Sequence, residues 1–572
     1  MNNKSTVHIR DDISIVLCGA AGQGIQTIEK ILPLVLKRSG YNVYATKEYM
    51  SRVRGGSNST EIRVSSRRVL SYVDRIDILI PLDKHAITHL DKRISADTII
   101  IGDKAKLSSD REIIDVPFSK IAREVGSTLY ENVVAVGMLS GIFRIEVEMV
   151  TDYLRRIFGK KSKEIIQNNI DAFEKGYAIG ADFCDSGQFC VNIGSSEDIR
   201  DEVLLSGTEA AGLGAIAGGC NFISAYPMTP STGVFTFLAQ HADDFGIVVE
   251  QAEDEISAMN MQLGAWYAGA RAMVTTSGGG FALMVEGVSL AGMIESPAVV
   301  YLGQRPGPAT GLPTRTEQGD LELVLYSGHG EFPRIIYAPG TVEDVFYLLR
   351  KAFNMADKYQ IPVFLLSDQH LADSVYNVPL SDLGSTRIER YIVETSENYR
   401  RYEISDNGVS PRGIPGFGKG LVGVDSDEHD EDGHITEDLD TRVKMVEKRL
   451  RKMKLIEEDA VQTDLIGKDD YSTLVIGWGS TYGAINEALD AIGRDDIAFL
   501  YIKQVFPVPQ DIAYYLERAR KTIIVENNAT SQFGKLIKLY LGMDIERKIL
   551  KYDGMPFTVE ELVESIKREA AK

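Results

Sequence analysis

Short apolar runs alternate with longer amphipathic stretches along most of the chain. Ile13-Ser-Ile-Val-Leu-Cys18 has the length of a buried strand, and it turns through Gly19-Ala-Ala-Gly-Gln-Gly24 into a helix predicted over about Ile25–Arg38. Ile78-Leu-Ile80, stopped by Pro81, and Thr98–Ile101 read as buried parallel strands. Alternating strands and helices predict an open α/β domain over residues 1–181. Residues 182–205, polar and rich in Ser, Gly and Asp, read as a linker. A second α/β domain, 206–395, opens with the small-residue helix Gly207–Ala215, built to pack close to another backbone. It continues with a strand at Ile247–Glu250, a helix from about Asp254, strands at Arg271–Thr275 and Ala298–Leu302, and a last buried strand at Pro362–Leu366.

Residues 396–455 break the pattern. Asp406–Gly420 is rich in Gly and Pro, Asp425–Asp440 is strongly acidic, and Arg442–Lys454 is basic and helix-like. The composition reads as a solvated, partly disordered insertion, although loops this long inside compact proteins are usually functional. A third α/β unit, 456–572, contains strands at Thr473–Gly477 and Lys521–Glu526. The absence of a short-period repeat argues against a solenoid, and the fold class expected is α/β with several open domains.

Composition narrows the setting. The 572 residues exceed one core, and 44% hydrophobic with 25% charged residues describes an ordinary globular chain. A net charge of −20 argues against a general nucleic-acid binder. The four cysteines form no CxxC pair, so the chain cannot supply the clustered thiolates of an iron–sulfur centre. Cys184 and Cys190 are close enough for a metal or a disulfide, but without a second pair they read as ordinary thiols. The N-terminus lacks an apolar h-region and no stretch has the length of a membrane span, so a cytoplasmic protein without membrane contact is expected.

Candidate chemistry concentrates in the second domain. Tyr226-Pro-Met-Thr-Pro-Ser-Thr232 carries two prolines in four positions, a stiff loop presenting the hydroxyls of Thr229, Ser231 and Thr232. The same residues also suit a turn capping the next helix through Ser231 or Thr232. Gln251-Ala-Glu-Asp-Glu255 opens a helix; its carboxylates suit the helix dipole, or one of them, Glu255, points into an apolar site as a proton-exchanging carboxyl. Thr275-Thr-Ser-Gly-Gly-Gly280 reads as a strand end and glycine loop before a helix at Phe281–Val285. Gln304-Arg-Pro-Gly-Pro-Ala-Thr-Gly-Leu-Pro-Thr-Arg315 is a rigid loop holding Arg305, Thr310, Thr314 and Arg315, the residue types that recognise a carboxylate. In the first domain, Gly22 and Gly24 sit in a strand–turn–helix loop that is either a phosphate cradle or a tight turn. Arg52 and Arg54 beside a Gly pair could bind an anion or lie on a surface turn. The GxxGxG spacing is not the dinucleotide fingerprint, which disfavours an NAD-dependent dehydrogenase.

Tyr226–Thr232, Gln251–Glu255, Thr276–Met284 and Gln304–Thr314, in this order, resemble the α subunit of 2-oxoacid:ferredoxin oxidoreductases with the γ domain fused at its N-terminus. Met228, Thr208, Gly279 and Ala309 depart from the pattern, where the family usually has Ile, Asn, Pro and Ser. The resemblance implies an N-terminal γ-type, Rossmann-like domain, a pyrimidine-type thiamine diphosphate domain, an insertion reaching over the active site, and a transketolase-C-like domain. It implies thiamine diphosphate as cofactor, with Glu255 activating the aminopyrimidine and Tyr226, Pro227 and Thr229 beside it. Thr229 and Arg305 then face the 2-oxoacid, Thr310 and Thr314 line its pocket, and coenzyme A approaches Gly22 and Gly24. The sequence has no GDG followed by a distal Asn, so no metal site is expected in this chain. A separate β subunit is expected to bring Mg²⁺ and a [4Fe–4S] cluster, to pass electrons to ferredoxin, and to form an αβ or (αβ)₂ assembly. The expected reaction is coenzyme A-dependent oxidative decarboxylation of 2-oxoglutarate or pyruvate. A pyruvate- or arylpyruvate-specific relative and a non-catalytic nucleotide-binding scaffold are the competing readings.

Overall fold

Most strands form where the apolar runs lie, and among the described residues the strands assemble into three sheets. The structure, a computed structural model, describes residues 11–20, 25–50, 57–107, 109–384 and 387–572. The described chain forms two compact units, one reaching to Leu205 and including Ser374–Asp382, the other made of Ser206–Asp373 and Leu383–Lys572.

The first unit holds an eight-stranded sheet. Ile114–Asp115, Ile99–Gly102, Ile78–Pro81 and Asp12–Ala20 run parallel, as their apolar character predicts. Ser57–Ser65 and Asn42–Glu48 extend the sheet in antiparallel register. These two escaped the sequence reading because they alternate polar and apolar residues instead of forming an apolar run. Their inward charges are paired: Arg93 makes two bonds of 2.7 and 2.8 Å to Glu61, and Arg63 engages Asp12. Val375–Val378 returns late in the chain to pair with Asn42–Glu48, so residues 374–382 belong to this unit and not to the second domain expected at 206–395.

Two further expectations are corrected here. Residues 182–205 are not a free linker: Phe189, Val191 and Ile193 are buried in the core of the unit. Cys184 and Cys190 are not separate thiols but a disulfide with Cα atoms 4.6 Å apart. The helix Lys163–Asp185 ends there, Gly187 adopts φ +69°, and the amides of Gln188 and Phe189 both donate to the Phe183 carbonyl, folding Cys190 back onto Cys184. The same helix packs on Glu131–Ile142 through glycines. A Cβ on Gly137, Gly141, Gly176 or Gly180 would lie 2.0–2.3 Å from a carbonyl oxygen of the facing helix.

The second unit contains a seven-stranded and a five-stranded sheet. In the first the order is Gln504–Phe506, Ile335–Tyr337, Pro362–Asp368, Ala298–Gln304, Ala272–Thr276, Phe222–Ala225, Val248–Gln251. All pairs are parallel except that made by Gln504–Phe506. The chain goes outward from Phe222–Ala225 to Val248–Gln251, then crosses back to Ala272–Thr276. The helices leaving these inner strands therefore lie on opposite faces, and a crevice opens between the strand ends, where open α/β sheets bind ligands. Gly207–Ala217 packs against backbone as its composition predicts: a Cβ on Gly207 would lie 2.1 Å from the Leu371 carbonyl oxygen. The second sheet orders Asp464–Ile466, Ile497–Ile502, Thr473–Trp478, Lys521–Glu526 and Arg547–Leu550. One hydrophobic cluster runs through both sheets, joining Val300 and Leu366 to Leu474 and Leu500, so residues 456–572 share a core with the preceding domain.

The insertion is not a solvated, disordered segment. Helix Leu439–Glu458 buries Lys448, Arg449 and Lys452, and Glu295 accounts for both lysines: Lys448 Nζ is 2.6 Å from Oε1 and Lys452 Nζ 2.5 Å from Oε2. Arg401 donates to the Glu295 carbonyl at 2.7 Å, and the Tyr402 hydroxyl donates to Ile294 O at 3.1 Å. A basic face reads as solvated in sequence; here Lys448 and Lys452 share the Glu295 carboxylate, 153 residues from Lys448, and Arg449 pairs with Glu428 at 2.9 Å.

Candidate active site

Two loops and two helix starts meet at the crevice between Phe222–Ala225 and Ala272–Thr276. The Tyr226–Thr232 loop leaves the first strand, with Tyr226 exposed and Pro227, Met228 and Thr229 half-buried. Ser231 is turned inward, its hydroxyl donating to Met228 O at 2.7 Å. It occupies the N-cap position of helix Thr232–Gln240 without a side-chain cap bond, so of the three hydroxyls expected at the loop surface this one is committed to the loop itself.

Glu255 opens the helix Glu255–Tyr267, capped by Asp254, whose carboxylate accepts the Ser257 amide at 2.7 Å. Glu255 is 4% exposed, and its Oε1 has no hydrogen-bond partner among the described residues. A buried, unmatched carboxylate oxygen is costly. The second neighbour is the glycine run. Gly278–Gly280 is not a loop but the first turn of helix Gly278–Met293. A Cβ on Gly280 would lie 2.4 Å from Thr276 Oγ1 and 2.6 Å from Glu255 Oε1, and one on Gly278 only 2.3 Å from Asp320 Oδ1. Glycine therefore serves close approach of two carboxylates to a helix start.

The Arg305 loop closes the ring. Arg305 Nη1 donates to Thr229 O at 2.7 Å, joining the two proline-rich loops, while its Nε is buried without a partner among the described residues. Burial lowers the pKa of this guanidinium, and Asp320 opposes that shift. A Cβ on Gly279 would contact the Ala309 carbonyl oxygen at 3.5 Å, and one on Gly303 would press on Pro230. The loop is strapped from below. The Asp320 amide donates to Gln304 Oε1 at 3.1 Å, Gln318 Nε2 donates to Trp478 O at 2.8 Å, and the Thr316 hydroxyl donates to Asp368 Oδ1 at 3.1 Å. Thr310 is exposed and Thr314 half-buried on the outer part of this loop.

Asp320 was not anticipated. Burial, reinforced by Glu317, pushes its carboxyl up to about 7 against the pull of Arg305. Thr275, Ser277 and Gln304 likewise place buried polar atoms without partners among the described residues at these strand ends. The glycine triplet was the one sequence clue to this neighbourhood. Gly22 and Gly24, with Arg52 and Arg54, lie outside the described residues. Among the described residues, no helix is long and apolar enough to cross a membrane.

Comparison with known proteins agrees with this layout. Residues 213–448 match the family described as pyruvate flavodoxin/ferredoxin oxidoreductase, thiamine diphosphate-binding, and residues 14–179 match pyruvate ferredoxin/flavodoxin oxidoreductase. Fold and site thus define the class: an oxidoreductase subunit with a thiamine diphosphate-binding domain. A Sulfolobus 2-oxoacid:ferredoxin oxidoreductase subunit alpha is 31% identical over 97% of this chain and 96% of its own length. The 2-oxoglutarate synthase subunit KorA of Archaeoglobus fulgidus is 32% identical over 64% of this chain and 99% of its own. The 2-oxoglutarate:ferredoxin oxidoreductase of Magnetococcus marinus, solved with 2-oxoglutarate, coenzyme A and succinyl-CoA bound, superposes with a TM-score of 0.90 at 32% identity, covering 98% of this chain and 100% of that one. The chain belongs to the 2-oxoacid:ferredoxin oxidoreductase α subunits.

Proposed function

We propose that this chain supplies half of the thiamine diphosphate site for coenzyme A-dependent oxidative decarboxylation of a 2-oxoacid. The observation that carries this reading is the unpartnered Oε1 of buried Glu255 beside a helix start that only glycine allows. Such an oxygen lacks a donor, and the ring N–H of an aminopyrimidine is one; the residues present fit the group. Thiamine diphosphate, when bound, supplies the electron sink for loss of CO₂. Glu255 then accepts a hydrogen bond and exchanges a proton at Oε1. Tyr226, Pro227 and Thr229 wall the cofactor side. Arg305 offers planar N–H donors to the substrate carboxylate, steered by the bond that ties it to Thr229 O. Thr310 and Thr314 shape the pocket from the outer part of the loop.

Mg²⁺, the diphosphate contacts and a [4Fe–4S] cluster belong on this reading to a β subunit, with ferredoxin as acceptor, in a cytoplasmic αβ or (αβ)₂ assembly. The cysteine inventory supports the division: Cys184 and Cys190 are bridged, and Cys18 and Cys220 are buried, with burial raising both thiols, Cys220 to about 12. The names of the Magnetococcus and Archaeoglobus proteins support 2-oxoglutarate as the first substrate to try, and the former's bound coenzyme A supports that acyl acceptor. We assign coenzyme A to the first unit and its Gly22–Gly24 loop on the sequence resemblance.

The test is Glu255→Gln in the assembled enzyme. Ferredoxin reduction should fall by about 10²–10⁴, the usual worth of a general acid–base group, while assembly is retained. Near-normal turnover would overturn the assignment and move the role to Glu253.

A further inference from the structure

The five-stranded sheet has a crevice of its own. From Thr473–Trp478 the chain moves to Ile497–Ile502 on one side, then crosses to Lys521–Glu526 on the other, and all three strands are parallel. The helices that follow Trp478 and Glu526 pack on opposite faces, Ala484 and Ile485 in one hydrophobic cluster, Phe533 and Leu536 in another. The space between the ends of these two strands is where open sheets of this kind take a ligand. Here it is filled from within the chain. The Glu526 carboxylate accepts the first-turn amides of Phe533 and Gly534, both at 3.0 Å. Gln318, 1% exposed, occupies the strand ends themselves. Its Nε2 donates to Trp478 O at 2.8 Å, its Oε1 accepts the Asn527 amide at 2.9 Å, and its own amide donates to Asn527 O at 2.7 Å.

Gln318 ends the segment that carries Arg305, and its neighbours repeat the pattern. The Thr316 amide donates to Gly554 O at 3.0 Å. Gln532 Nε2 donates to Gly319 O at 2.9 Å, and its Oε1 accepts the Glu322 amide at 3.0 Å. All these partners lie within residues 456–572, which supply no residue of the candidate site. From Gln318 the path to that site is short: two residues on, the Asp320 amide donates to Gln304 Oε1, and Arg305 follows Gln304. Gly479 shows how closely the seat fits. It has φ +58°, and a Cβ there would lie 2.7 Å from Gln318 Nε2. A side-chain amide held at both ends by backbone has one orientation, and it passes that constraint to the loop it belongs to.

We propose that Gln318 is a positioning residue for the 2-oxoacid: seated in the crevice of the five-stranded sheet, it sets the place of Arg305. The sheet thereby takes part in substrate recognition without touching the substrate. This inference rests on the reading that Arg305 faces the 2-oxoacid carboxylate.

Two variants of the assembled enzyme test this. Gln318→Glu keeps the acceptor for Asn527 and removes the donor to Trp478 O. Gly479→Ala displaces the same side chain from the sheet's side. Each should raise KM for 2-oxoglutarate by between about ten- and a hundredfold, the effect of a reacting group misplaced by up to an ångström, with thiamine diphosphate affinity unchanged. Amide hydrogen exchange should quicken across Arg305–Asp320 but not across Glu255–Tyr267. Because Gln318 acts through Arg305, the double variant Gln318→Glu with Arg305→Lys should have a KM no higher than Arg305→Lys alone, whereas independent effects multiply. Multiplying effects, a normal KM in Gln318→Glu beside a raised one in Arg305→Lys, lost cofactor affinity, or failure of both variants to assemble would each overturn the proposal. A normal KM in Arg305→Lys itself would refute the reading of Arg305, and the proposal with it.

Discussion

Arg305 illustrates how one side chain can serve two masters. Its Nη1 is spent on the Thr229 carbonyl, which fixes the fork's direction, and the remaining donors are what a planar carboxylate could use. Lysine carries the charge but cannot hold both partners at once. Arg305→Lys should therefore lower kcat/KM for the 2-oxoacid, chiefly through KM, with thiamine diphosphate affinity little changed. A loss of cofactor affinity at normal substrate KM would reassign Arg305 to the cofactor or the fold. Asp320 makes a second prediction at this scale. Folding raises its pKa from 3.8 to about 7, so the folded chain holds this proton more tightly than the unfolded chain. The associated stability is fully present below 3.8 and is lost as pH rises through about 7. Asp320→Asn should consequently melt above the parent protein at pH 8, with a gap that grows between these two values and is flat beyond; a pH-independent gap would contradict the burial of this carboxyl.

Among elements, the insertion helix Leu439–Glu458 is the one whose behaviour is least obvious from its residues. Burial works to raise the Glu295 carboxyl, but Lys452, Lys448 and Arg401 outweigh it and hold the group well below the carboxylate range. Burial lowers Lys448 to about 8 despite the same pairing. Removing the shared carboxylate leaves two ammoniums buried without an anion. Glu295→Gln should cost about 3–5 kcal/mol by denaturant titration, the usual result of breaking a buried pair from one side. It should also speed proteolysis within Asp406–Gly420; an unchanged cleavage rate would mean that other contacts hold the insertion. The same contrast explains what the sequence revealed and what it hid. Ile13–Cys18, Ala298–Leu302, Pro362–Leu366 and Thr473–Gly477 were legible because buried parallel strands need continuous apolar runs. Asn42–Glu48 and Ser57–Ser65 were not, because their polar residues find partners that only folding brings near: Glu61 and Arg63 bond Arg93 and Asp12, 32 and 51 positions away, and Asn42 bonds Asn377, 335 away. Glu255 could be picked out as a helix-opening carboxylate, whereas Asp320, one acid among many, acquires its character only from the burial against Gly278 and the nearness of Glu317 that folding brings, with Arg305 opposing them.

At the scale of the whole molecule, the site faces outward from the strand ends with Tyr226 and Thr310 exposed. The isolated chain should fold yet fail to reduce ferredoxin with any 2-oxoacid. Co-expression with a β subunit should give a brown complex with that activity. Substantial turnover by this chain alone, followed as ferredoxin bleaching, would refute the division of the site proposed above.

The glycine seam between Glu131–Ile142 and Lys163–Asp185 bears on how the first unit comes apart. Backbones this close leave no gap for water, and their amides are shielded from both sides. The two helices cannot separate by degrees, since van der Waals attraction falls away within an ångström of this contact. They should open together or not at all, as one cooperative block whose amide protons exchange with solvent at a common, slow rate.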